Sequence, residues 1–193
     1  MKKIFAISIL LLFATVVFAQ EHLSFKGVPI DGTLNSYVTK MRAKGFSSMG
    51  STNGVALLKG DFAAHKSCTI VVATMQNKDL VSRIGVMFPE QEQWQYLYGD
   101  YSELKNLLTI KYGEPTDCLE EFQCDKYSYP DDDNDRMYNV RMDRCKYFSA
   151  FTTPNGSIEL SIAHGDFSKC FVKLLYVDKV NNDSVMQDAL DDL

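Results

Sequence analysis

Five cysteines, three histidines and one dense acidic run are the residues through which this chain could do chemistry. His22, His65 and His164 form neither H-E-x-x-H nor H-x-H, and there is no C-x-x-C, so the close ligand pairs of a zinc site are absent from the sequence. Each histidine reads as structural: His22 in an N-terminal arm, His65 in a hairpin turn, His164 continuing the face of Ile158, Leu160 and Ile162. No G-x-S-x-G offers a nucleophile elbow. Gly45 to Thr52 has the glycine spacing of a phosphate loop, but Ser51 stands where the lysine belongs and the segment follows a helix rather than opening one, so it reads as a turn. Asp131, Asp133 and Asp135 have the i, i+2, i+4 spacing of a calcium loop. Arg136 replaces its sharp-turn glycine and Met142 its bidentate glutamate, which leaves a solvated hairpin tip or a calcium site of low affinity. Carboxylate hydrolysis would draw on Glu120, Glu121 or Asp143. It needs two carboxyl groups about 5–10 Å apart, a distance that no spacing here imposes. No catalytic set and no cofactor site emerges.

The cysteines carry a sharper expectation. Cys68 shares a face with Ile70 and Val72, and Cys170 one with Val172, Leu174 and Tyr176, so both read as small core residues. Cys118, Cys124 and Cys145 surround a polar stretch. With Pro130 to Asp135 as a hairpin tip centred between Asp131 and Asp132, Cys118 stands directly opposite Cys145, within reach of a disulfide. Closing that loop would stabilise the chain by roughly 3 kcal/mol. A Cys124–Cys145 link competes through a shifted register, because the apolar parity slips between Met142 and Phe148 as a bulge would make it. Cys118–Cys124 is the third pairing. The expected disulfide is Cys118–Cys145, with Cys124 an exposed thiol.

Two helices and several alternating strands must position these groups. Thr33 can cap a helix whose apolar face is Leu34, Tyr37, Val38 and Met41, ending at Gly45. Asp100, with Glu103 as its capping-box partner, can open a second helix on Leu104, Leu107, Leu108 and Tyr112, ending at Gly113. Strand alternation follows each: Val55 to Leu58, Ser67 to Ala73 and Val81 to Pro89 after the first, then Phe151, Ile158 to Ile162 and Phe171 to Val177 after the second. Pro154-Asn155-Gly156 is a hairpin turn. The helix ends and last two strands of the halves correspond, apart from an insertion in the second half. The expected fold is α+β: two tandem helix-plus-antiparallel-sheet units, about αβββ each, sharing a core. Residues 20–92 form the first unit and 93–193 the second, with a hairpin-like insertion at 123–138 and a short acidic tail.

Residues 1–19 have the parts of a secretory signal: Lys2 and Lys3, an apolar run from Ile4 to Phe18, and Val17-Phe18-Ala19 before the expected mature terminus Gln20. The run is too short to span a bilayer, and no Cys follows it for lipid attachment. The expected address is the periplasm or the exterior, where disulfides are permitted. The 193 residues are 46% hydrophobic and 23% charged, an ordinary globular composition. The formal net charge of -5 argues against nucleic acid and anionic lipid as partners.

The stretch Tyr101-Ser-Glu-Leu104 through Leu108 to Lys111-Tyr112-Gly113-Glu-Pro115 resembles a segment of uncharacterised exported proteins of Gram-negative bacteria. The tandem helix-plus-sheet pattern resembles the beta-lactamase-inhibitor-like and BamE-like modules. The resemblance implies a binding or assembly role and carries no catalytic residue. Tyr127, Tyr129 and Tyr138 flank the acidic run, and tyrosine beside charge is how protein-recognition loops are built. The expected function is a non-catalytic binding protein of the cell envelope that meets a protein partner through this insertion or through an open sheet face. The alternatives are a carboxylate hydrolase and a calcium-dependent structural module.

Overall fold

The computed structural model describes residues 21–75, 78–124, 129–165 and 169–191. Residues 1–19, expected to be a signal, and Tyr127 lie outside them. Among the described residues are four helices, α1 (Leu34–Ala43), α2 (Trp94–Tyr112), α3 (Asp133–Arg141) and α4 (Lys179–Asp191). A small ribbon pairs β1 (Ser24–Phe25) with β2 (Val28–Pro29). The main sheet holds eight strands: β3 (Ser47–Thr52), β4 (Val55–Phe62), β5 (His65–Thr74), β6 (Val81–Met87), β7 (Asp117–Phe122), β8 (Cys145–Thr153), β9 (Gly156–His164) and β10 (Cys170–Asp178). Their order is β3-β4-β5-β6-β10-β9-β8-β7, antiparallel throughout.

This order follows from the side chains. β6 and β10, each with apolar residues alternating toward the core, pair at the centre. The two most polar strands, SSMGST and DCLEEF, take the edges, where polar and charged side chains discourage further pairing. The register stacks the apolar positions into rows. Ala56, Val72, Ile84, Tyr176, Ile158 and Phe151 form one row across six strands. Leu58, Ile70, Val86, Leu174 and Leu160 begin a second, which ends in Ser149 and Cys118. These rows face the helices. α1 lies against β3, β4 and β5, and both α2 and α3 lie against β8, β9 and β10. One hydrophobic core runs beneath all three. The opposite face has no helix of this kind: from Val55, Leu57 and Val71 to Leu175, Phe148 and Leu119, none of its side chains is buried.

Thr33 caps α1 as expected, its Oγ1 accepting from the Ser36 N–H, and Gly45 ends the helix region with φ +95. The expected Asp100 cap is corrected. α2 begins at Trp94, and Asp100 sits inside it, accepting from the Gln91 side chain. Trp94, Leu97, Tyr101, Leu104 and Leu108 all lie on its buried stripe, so burial carries the helix through Gly99, which propensity alone would treat as a break. Each half also gives the main sheet one strand more than expected. Ser47–Thr52, read as a turn, is edge strand β3, and Asp117–Phe122 is edge strand β7.

The hairpin at 123–138 is corrected as well. Asp132 caps α3, accepting from the Asp135 N–H, and Met137 and Val140 pack into the core. Asp133 and Asp135 occupy the first helical turn, where negative charge suits the helix dipole. The calcium-loop geometry for Asp131, Asp133 and Asp135 is therefore not formed. No group of three or more His, Cys, Asp or Glu is placed to hold a metal among the described residues.

With no hairpin tip between Asp131 and Asp132, the expected disulfide also fails. Phe122 must face the core, and this sets the β7–β8 register: Phe122 pairs with Cys145, and Cys118 with Ser149. All five cysteines are free thiols, with Cys68, Cys145 and Cys170 buried and Cys118 exposed.

Candidate functional site

Where α2 crosses the β7–β8 edge, aromatic side chains gather. Trp94 stacks on Tyr98 at 5.7 Å and contacts Phe122 and Tyr147 at 5.0 and 5.2 Å. Tyr147 meets Tyr98 and Tyr101 edge-on. Tyr129 closes the group with its ring edge-on to Phe122 at 5.9 Å. The local sequence explains the arrangement. Trp94, Tyr98 and Tyr101 recur at helical spacing, while Phe122 and Tyr147 stand on neighbouring strands with their side chains toward α2. Trp94 and Phe122 are buried, but Tyr98 is 42% and Tyr129 53% exposed. The cluster thus has a rigid floor and an accessible rim. Tyr138, on α3, is 51% exposed.

A hydrogen-bonded network adjoins this rim. The Tyr101 hydroxyl lies 3.0 Å from Glu120 Oε1 and 2.8 Å from Ser149 Oγ. Burial drives the Tyr101 pKa far above its ordinary value, with a smaller opposing effect from Ser149. The phenol therefore keeps its proton and donates to Glu120, which leaves Ser149 as donor to Tyr101. Lys105 Nζ donates to Glu120 Oε1 at 2.5 Å and to Cys118 Sγ at 3.2 Å. Partial burial would raise the Glu120 pKa, but Lys105 and Tyr101 outweigh it and hold the carboxyl below the ordinary glutamate value. Partial burial likewise works to lower Lys105, and its bonds to Glu120 and Cys118 reverse the sign and raise it. The network holds α2 against edge strand β7 and places an exposed thiol beside an ammonium group.

The other candidate residues are spread over the molecule. Glu120 and Glu121 are consecutive on β7 and so point to opposite faces. Asp143 lies beside His164 Nε2 at 3.2 Å, on an exposed surface. His65 starts β5 and packs edge-on against Phe88. His22 bonds buried Asp178. A cleft of about 690 Å³, lined by Asn35, Asn53, Thr74 and Asp79 among others, lies at the start of α1, away from the aromatic edge. The edge is the better candidate because it joins rigid aromatic area to fixed polar groups. No helix among the described residues is long and apolar enough to cross a membrane.

No family model, curated protein or solved structure matches this chain.

Sequence reasoning singled out Tyr129 and Tyr138, both exposed, but not Tyr98 or the Lys105–Glu120–Tyr101–Ser149 network. The i, i+4, i+7, i+11 spacing of Trp94, Tyr98, Tyr101 and Lys105 was the available signal, and starting the helix at Asp100 hides it.

Proposed function

We propose that this is an exported, non-catalytic binding protein of the bacterial envelope, and that its protein partner docks on the aromatic edge formed by Tyr98 and Tyr129, with exposed Tyr138 on α3 as a further candidate contact. The observation that carries the reading is the exposed rim over a rigid floor. Tyrosines held by Trp94, Phe122 and Tyr147 offer large contact area at small entropic cost. Export is supported by the signal-like residues 1–19. The two-unit reading, 20–92 and 93–193, belongs to the same proposal. It is supported by the strand order, in which each half adds three strands outward from the β6–β10 pair. So does the resemblance to beta-lactamase-inhibitor-like modules, which also implies binding rather than catalysis. Carboxylate hydrolysis is the weaker reading, because a general acid needs a raised pKa and that of Glu120 is lowered.

The test uses residues 20–193 immobilised against an envelope fraction. A protein retained by the wild type and by Tyr96→Ser, but lost with Tyr98→Ala and with Tyr129→Ala, is the expected result. Recovery that ignores both rim substitutions removes the aromatic edge as the contact surface. Deleting the insertion would not be informative, because Met137 belongs to the core.

A further inference from the structure

The sheet face opposite α1, α2 and α3 is a second surface, separate from the aromatic edge. Its register can be read row by row. Leu57, Val71, Gly85, Leu175, Glu159, Ala150 and Asp117 form one row from β4 to β7. The row beside it runs Lys59, Thr69, Met87, Lys173, Ser161, Phe148 and Leu119. None of these side chains is buried. On this face Lys59 and Arg83 stand on β4 and β6, and Glu159, Asp117 and Glu121 stand with Lys146 and Lys173 on β7 to β10. None of Lys59, Arg83, Glu159, Asp117 or Glu121 makes an ion pair with another described residue.

We infer that this face binds a second copy of the chain, packed sheet on sheet about a two-fold axis that runs along the strands at the β6–β10 seam. Three features select this occupant. The first is shape. Such an axis carries β6 of one copy onto β10 of the other, so Leu175 lies over the partner's Gly85. A Cβ at Gly85 would meet only Val71, at 3.5 Å or more, so the position is a hollow in an otherwise covered row. The second is charge. The same axis lays the half with Lys59 and Arg83 on the half whose three carboxylates outnumber Lys146 and Lys173, with Arg83 near the partner's Glu159. The third is area. Eight strands about 4.8 Å apart, each some seven residues long at about 3.3 Å per residue, give a face of roughly 800 Å². That matches the area each partner gives to a stable interface. Facing sheets pack about 10 Å apart, close enough for Leu175 to reach across.

Sedimentation of residues 20–193 over a range of concentrations tests this. The expected result is a monomer–dimer equilibrium with micromolar dissociation. Leu175→Glu should weaken it roughly a hundredfold. Arg83→Glu and Glu159→Arg should each weaken it roughly tenfold, and the double variant should recover to within a few-fold of the wild type. An unchanged thermal midpoint shows that each variant is folded. A strict monomer at about 100 μM overturns the inference and leaves the face to another protein. A dimer that Leu175→Glu leaves intact overturns it too, by placing the contact elsewhere.

Discussion

At the residue scale, two groups of side chains make opposite demands on reactivity. Burial pushes the Cys145 thiol up to about 12, with a smaller rise from nearby Cys170, and burial raises Cys68 and Cys170 as well. Cys118 is exposed and receives a hydrogen bond from Lys105. In timed alkylation at neutral pH, Cys118 is expected to react first and the three buried thiols only on unfolding. Mass mapping without reductant should find no linked peptide, and a Cys118–Cys145 link would contradict the β7–β8 register. Lys105 and Glu120 give a pH signature. The folded Glu120 pKa lies below its ordinary value, so its stabilisation is present above that ordinary value and fades as pH falls through the lowered one. The raised Lys105 pKa acts in reverse, its share present below the ordinary lysine value and lost as pH rises through the raised one. Both groups are partly solvated, so the effect is small. Glu120→Gln should flatten the acid limb of the stability profile, measured by urea unfolding between pH 3 and 7. An acid limb identical to the wild type would show that the pair contributes nothing.

At the element scale, what was legible in the sequence is what local rules decide. Thr33 and Gly45 bounded α1 because a cap and a left-handed glycine act within a turn of chain. The central strands were readable because β9, β10 and β6 from Ser82 onward alternate over one core. The edges were not, since SSMGST and DCLEEF lack an apolar pattern and are strands only because a neighbour pairs with them. α3 was hidden for a related reason. Its nine residues, DNDRMYNVR, show almost no amphipathic pattern, and only Met137, Asn139 and Val140 are buried. What starts it is visible in hindsight: Asp132 as cap, Asp133 and Asp135 in the first turn, Arg136 paired with Asp133. Asp132→Ala should therefore destabilise the protein by about 1 kcal/mol, against less than about 0.5 kcal/mol for Asp131→Ala, which caps nothing. Chemical denaturation of the two variants distinguishes them. Equal midpoints would mean that α3 is held by its core contacts alone.

At the scale of the whole molecule, one buried polar cluster ties the ends of the described chain together. Asp178 closes β10 and is 0% exposed. Its carboxylate accepts from the Leu23 N–H at 2.7 Å and the Asn181 N–H at 2.9 Å, and it lies 3.1 Å from His22 Nδ1. Asn181, three residues on in α4, donates its side-chain amide to the Ile30 and Val81 carbonyls. The N-terminal ribbon, the start of β6 and the start of α4 are thus fastened around one carboxylate. Here the ribbon's Phe25 also packs on Phe62 and Tyr176. Substituting Asp178 by Ala strands two buried N–H donors and leaves His22 without its closest partner. Each stranded donor costs about 1–3 kcal/mol, so a total near 3 kcal/mol is expected. For a chain of this length that lowers the thermal midpoint by about 10 °C. Loss should be local before it is global, because β4–β9 keep their own pairing. Hydrogen exchange is the decisive measurement: the Leu23 and Asn181 amides should lose protection, while those of Ile70 and Leu160 keep most of theirs. If all four lose protection together, the clasp is inseparable from the core rather than a fastening laid over it.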